Sequence, residues 1–89
     1  LGARGAVGAT ADRIYEAIAP RVDAVCPIGA GDALAAAFTW AMSKGKDFYD
    51  ALRWGVAAGT ASAMLPGLSF AGLAETKDVY KRVDVRPVV

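Results

Sequence analysis

From Trp54 to Ala74 the chain carries no charged residue, and the run WGVAAGTASAMLPGLSFAGLA has only two physical destinations. An uncharged segment of this length either crosses a bilayer or lies inside a folded core. Here Gly and Ala dominate, and Pro66-Gly67 breaks the middle, where a spanning helix needs unbroken apolar chain. We therefore read a buried helix followed by a loop. The rest of the composition agrees, being 55% hydrophobic and 21% charged, which disfavours disorder. Ten basic and nine acidic residues leave a net charge of +1 without a long run of either sign. Neither nucleic acid nor an anionic membrane is expected as a partner.

The 89 residues suffice for one small domain, 1–89, and for no more. The chain opens at Leu1 within an apolar, glycine-bearing stretch, so the expectation is a piece of a longer protein. There is no histidine and a single cysteine, Cys26. That removes Ser-His-Asp and Cys-His catalysis, a typical zinc site and an internal disulfide, and it fits a reducing cytosol. The remaining chemistry belongs to carboxylates, lysines, arginines, hydroxyls and backbone dipoles.

Glycines at 2, 5 and 8 punctuate short apolar pieces suited to strands or tight loops. Ile14 to Ile18 reads equally as a short helix or a returning strand. Arg21 to Cys26 reads as a strand running into a glycine turn. A helix follows from Asp32 to about Lys44, where Lys44-Gly45 stops it. Asp47 caps a second helix running through Leu65, with Phe48, Leu52, Val56, Thr60 and Ala63 on one face. Ala51, Gly55, Gly59 and Ala63 form a smooth ridge at i, i+4 spacing, suited to close helix packing. Phe38, Trp40 and Trp54 read as core. A third helix spans about Leu73 to Val83, and Val85 to Val89 is an extended tail holding Pro87. Strand, glycine turn, apolar helix and helix is the order of an α/β protein.

Within PIGAGDALAAAF, residues 27–38, Asp32 stands behind two glycines at the mouth of an apolar helix. The unpaired N–H groups and dipole of a helix start seat an anion, and glycine lets a ligand approach the backbone. Gly29, Ala30 and Gly31 thus make a phosphate cradle, with Asp32 at the first residue of the helix. A carboxylate would repel a bound phosphate unless it faces an acceptor hydroxyl and takes its proton as the oxygen attacks phosphorus. The plainer alternative stays open, because an aspartate in a first turn is favoured by about 1 kcal/mol through capping and dipole alone.

GAGD before an alanine-rich helix resembles the second signature of the ribokinase/PfkB carbohydrate kinases. LGARGAVG resembles that family's upstream strand and turn, and ALRWGVAAGTASAMLPG its downstream helix and loop. The PIGAGD form is most similar to the phosphofructokinase and tagatose-6-phosphate kinase branch. The resemblance implies the C-terminal portion of a three-layer α/β/α fold. It also implies a cytoplasmic, often homodimeric kinase that uses ATP and Mg2+ on a sugar or sugar phosphate. Asp32 would be the general base, and the Gly29-Ala30-Gly31 turn the anion hole. Gly2 and Gly5 would lie near the ATP phosphates and ribose, and Val56, Gly59 and Thr60 in the adenine pocket. A K+ site would draw on Cys26, Ile28, Ser62, Leu65, Gly67 and Ser69. Cys26-Pro27-Ile28 replaces the family's commoner threonine pair and so lacks two oxygen-bearing side chains.

Three readings follow: a phosphotransferase, a nucleotide-binding piece without activity of its own, and a helical domain whose GAGD merely starts a helix.

Overall fold

Side-chain alternation decides the sheet. The computed structural model describes residues 5–9, 13–20, 29–65 and 71–88. Three antiparallel strands run in the order β1 (Gly5–Ala9), β2 (Ile14–Ile18), β3 (Asp84–Val88). The register sets Ala6, Ala17 and Val85 side by side, with Gly8, Tyr15 and Pro87 in the row two residues along. These rows face the helices: Ala17 is fully buried, and a Cβ at Gly8 would stand 2.8 Å from the Phe48 ring. The alternate positions face outward, and Val7 and Ile14 are about half exposed. The ambiguous segment 14–18 is thus a strand, because a period of two puts its Tyr15 and Ala17 on the covered side. Arg21 to Cys26, the other strand expected, lies outside the described residues.

Of three helices, α1 (Ala30–Ser43), α2 (Phe48–Ala63) and α3 (Leu73–Tyr80), α2 covers the inner face, and α1 and α3 pack on α2. The start of α1 corrects the expectation. The helix begins at Ala30 rather than Asp32, because Gly29 already makes the reversal, at φ 87° in the left-handed region. Its stop is as read, with Lys44 as the C-cap after Ser43 and Gly45 at φ 81°. Asp47 caps α2 through its side chain, which accepts the Asp50 N–H at 2.8 Å. α2 ends at Ala63, short of Leu65. Leu65 precedes a proline and is biased away from helix, and Met64 and Leu65 donate to the carbonyls three residues back, at 3.2 and 3.1 Å. α3 likewise ends at Tyr80, not Val83, where Arg82 donates to the Val79 carbonyl at 2.8 Å and turns the chain into β3.

α2 is the centre of the molecule. From Ala51 to Ala63 every residue except Arg53 is buried, so the uncharged stretch opens as an enclosed helix. No helix among the described residues is long and apolar enough to cross a membrane. Leu52, Val56, Ala57 and Ala61 meet Ala17, Val79, Val83 and Val85 in the main core. Tyr49 donates from its hydroxyl to the Val85 carbonyl at 2.9 Å, tying β3 to the same helix.

A second cluster joins all three helices. The Trp54 ring stacks on Tyr80 with centroids 4.2 Å apart, and Trp40 meets Trp54 edge-on at 5.5 Å. Trp54 is buried, as expected, whereas Trp40 is 40% exposed and only rims the cluster. The Arg53 guanidinium lies 4.2 Å over the Tyr80 ring, and its Nε donates to the Tyr80 carbonyl at 2.9 Å. The Tyr80 hydroxyl donates to Asp50.

Burial raises the Tyr80 phenol above its ordinary value of 10.0, and the hydrogen bond and charge of Asp50 add to the rise against an opposing Arg53. The fold therefore favours neutral phenol. Its contribution is complete below about pH 10 and is lost as pH climbs through the higher folded value. Unfolding midpoints between pH 8 and 11 should fall more steeply in the parent chain than in Tyr80→Phe. Parallel curves would show that the phenol does not sense the fold.

Candidate active site at the start of α1

The two long helices begin differently. α2 has the Asp47 carboxylate on its first turn, whereas no side chain caps α1. The first bond of α1 runs from the Ala33 N–H to the Gly29 carbonyl at 3.0 Å. The N–H groups of Gly29, Ala30, Gly31 and Asp32 consequently have no partner within the helix. Among the described residues, a Cβ built on Gly31 meets nothing within 4 Å, so none of them closes that side of the backbone to a ligand. Four donors and a positive helix end have the chemistry to seat a phosphate-sized anion.

Asp32 stands exposed in the same turn. Its carboxylate makes no hydrogen bond or ion pair with another described residue. It neither caps the helix nor holds a neighbour, so its carboxylate is available to a bound molecule. Behind it, Ala33 shares a groove of about 330 Å³ with Trp40, Trp54, Ala58, Ser62 and Thr76. The groove is apolar apart from Ser62 and Thr76, and no signal in the spacing of these residues announces it.

The remaining expected positions scatter. Gly5 begins β1. Val56 is 2% exposed and belongs to the main core, and Thr60 is buried on the same helix. Gly59 touches the candidate site, since its Cβ direction ends 3.0 Å from the Ala30 carbonyl oxygen. The Ser62 hydroxyl accepts the Ala71 N–H at 3.0 Å, and Leu65 is half-buried just beyond α2. Gly2, Cys26, Ile28, Gly67 and Ser69 lie outside the described residues. The described residues hold no group of three His, Cys, Asp or Glu side chains that could bind a metal.

Residues 1–75 match the pfkB family carbohydrate kinases, and the chain belongs to that family. It is 35% identical over 82 residues to 1-phosphofructokinase of Borreliella burgdorferi, covering 91% of this chain and 25% of that protein. It is 29% identical over 80 residues to ATP-dependent 6-phosphofructokinase isozyme 2 of Escherichia coli, covering 90% of this chain and 26% of that protein. The crystal structure of phosphofructokinase-2 from Escherichia coli in complex with potassium superposes with a TM-score of 0.87 at 28% identity, covering 92% of this chain and 26% of that one. The α/β arrangement is thus that of a ribokinase-like kinase, and the chain spans about a quarter of the relatives it matches.

Proposed function

We propose that this chain is the nucleotide-side part of a kinase that moves the γ-phosphoryl group of ATP to a hydroxyl of a fructose or tagatose phosphate. The observation that carries the reading is the start of α1, with four N–H groups that have no partner within the helix beside an exposed Asp32 whose carboxylate pairs with no described residue. Asp32 accepts the proton of the acceptor hydroxyl while its oxygen bonds to the γ-phosphorus and the bond to the β-phosphate bridge breaks, releasing ADP. The amides hold the phosphoryl oxygens, whose charge they stabilise as it spreads in the transition state. Both groups belong to one helical turn, so the backbone fixes the amides and keeps the Asp32 carboxylate within reach of its two side-chain torsions.

The names of the relatives, phosphofructokinases of two kinds, support a phosphorylated ketohexose as acceptor. A whole protein of this kind would draw on cytosolic ATP. Because the chain spans about a quarter of those relatives, the 89 residues alone would transfer no phosphoryl group. The test is ADP release by the intact protein with ATP and, in turn, fructose 1-phosphate, fructose 6-phosphate, tagatose 6-phosphate and fructose. Turnover with at least one phosphorylated sugar, and none with fructose, is expected. No sugar-dependent ADP release with any of the four would overturn the reading.

A further inference from the structure

α1 carries both proposed working parts in its first turn, yet that turn has no capping side chain to fix it in place. Its restraint comes from behind. A Cβ on Gly59 would lie 3.0 Å from the Ala30 carbonyl oxygen, 3.5 Å from the Leu34 Cβ and 3.8 Å from the Ala30 carbonyl carbon. Ala30 is the first residue of α1 and lies between Gly29 and Gly31. The obstacle is main chain, which cannot rotate away as a side chain can, so any added methyl must move the turn by a few tenths of an ångström. One turn along, a Cβ on Gly55 would stand 3.0 Å from the Leu34 carbonyl oxygen. The far end of α1 is anchored separately, with Ala41 fully buried in the Trp54 cluster. Pressure at Gly59 therefore tilts the end of the helix that carries Asp32, while pressure at Gly55 bears on its middle.

We infer that Gly59 is a positioning residue for phosphoryl transfer: by lacking a side chain it sets how deeply the first turn of α1 sits, and so where Asp32 and the amides of Ala30 and Gly31 meet the reacting groups. It acts through Ala30 rather than through the nucleotide. The inference rests on the kinase reading above and sharpens it, since the resemblance alone would put Gly59 against adenine.

Gly59→Ala and Gly55→Ala in the intact kinase separate the possibilities. Turnover is counted per molecule that binds a non-hydrolysable ATP analogue in calorimetry, so a partly unfolded preparation does not distort the comparison. Gly59→Ala should lower kcat about ten-fold, the scale expected of a sub-ångström misplacement, with analogue affinity within about two-fold of the parent. Gly55→Ala should lower the melting temperature similarly but keep kcat within about three-fold. Equal loss of kcat in both variants would overturn the inference, as would weakened or absent analogue binding in Gly59→Ala. A normal kcat in Gly59→Ala beside an inactive Asp32→Asn would sink the inference alone. An active Asp32→Asn would instead sink the role of Asp32 as the base on which the kinase reading is built, whatever Gly59→Ala does.

Discussion

Asp32→Asn in the intact kinase is expected to lower turnover by about 10²–10⁴-fold while leaving the affinity for an ATP analogue near that of the parent. Asparagine keeps the size and shape of the side chain and can still accept a hydrogen bond from a hydroxyl. What it loses is the capacity to take a proton away. Because Asp32 is exposed and pairs with no other described residue, the substitution leaves no partner orphaned, and the fold should be indifferent to it. The helix loses at most a favourable charge near its positive end, about 0.3–1 kcal/mol. That separates the two explanations for the aspartate in GAGD. A residue that only starts a helix would shift the melting temperature and spare kcat, whereas a base would do the reverse. Steady-state kinetics with calorimetric analogue binding reads both, and unchanged turnover would leave the carboxylate as a helix-start residue.

Trp54→Ala should be the most damaging single truncation for stability, costing about 3–5 kcal/mol. The ring is 9% exposed, packs with Ala41 and Ala51, and is stacked on Tyr80 and met edge-on by Trp40. Aromatic pairs of these geometries add about 0.5–1.5 kcal/mol beyond the area they bury. Removing it also strips the cover from Tyr80, through which Arg53 and Asp50 hold α3 to α2. Trp54→Phe should recover more than half of the loss, because a smaller ring still stacks. Unfolding midpoints followed by far-ultraviolet circular dichroism measure both, and a Trp54→Ala loss below about 1 kcal/mol would mean that the three helices are held elsewhere.

What the sequence disclosed was what lies within one or two turns of chain. Lys44-Gly45 and Asp47 mark the end of α1 and the start of α2 by local hydrogen-bond chemistry, and both stand as read. The glycine turn ahead of an apolar helix was legible for the same reason. The helix start was displaced to Asp32 because the left-handed angle at Gly29 is a backbone fact that composition only permits. Ile14 to Ile18 stayed undecided until β1 and β3 flanked it, since five residues cannot distinguish two periods by themselves. The Tyr80 assembly was illegible, as its bonds join residues 27 and 30 apart along the chain. Gly59 shows both limits. The ridge at i, i+4 announced close packing, but only coordinates show that the atom it approaches is the carbonyl of Ala30, two residues before Asp32.

The outer margin of β3 has a consequence for any larger molecule that contains this chain. Pro87 has no amide hydrogen to offer an incoming strand, and Asp84 and Arg86, bridged to each other at 3.2 Å, bring charge to the same rim. The opposite margin, at β1, is GAVGA, with neither proline nor charge to discourage pairing. Among the described residues, β1 is thus the margin open to a further strand, and β3 the one whose proline and charges discourage pairing.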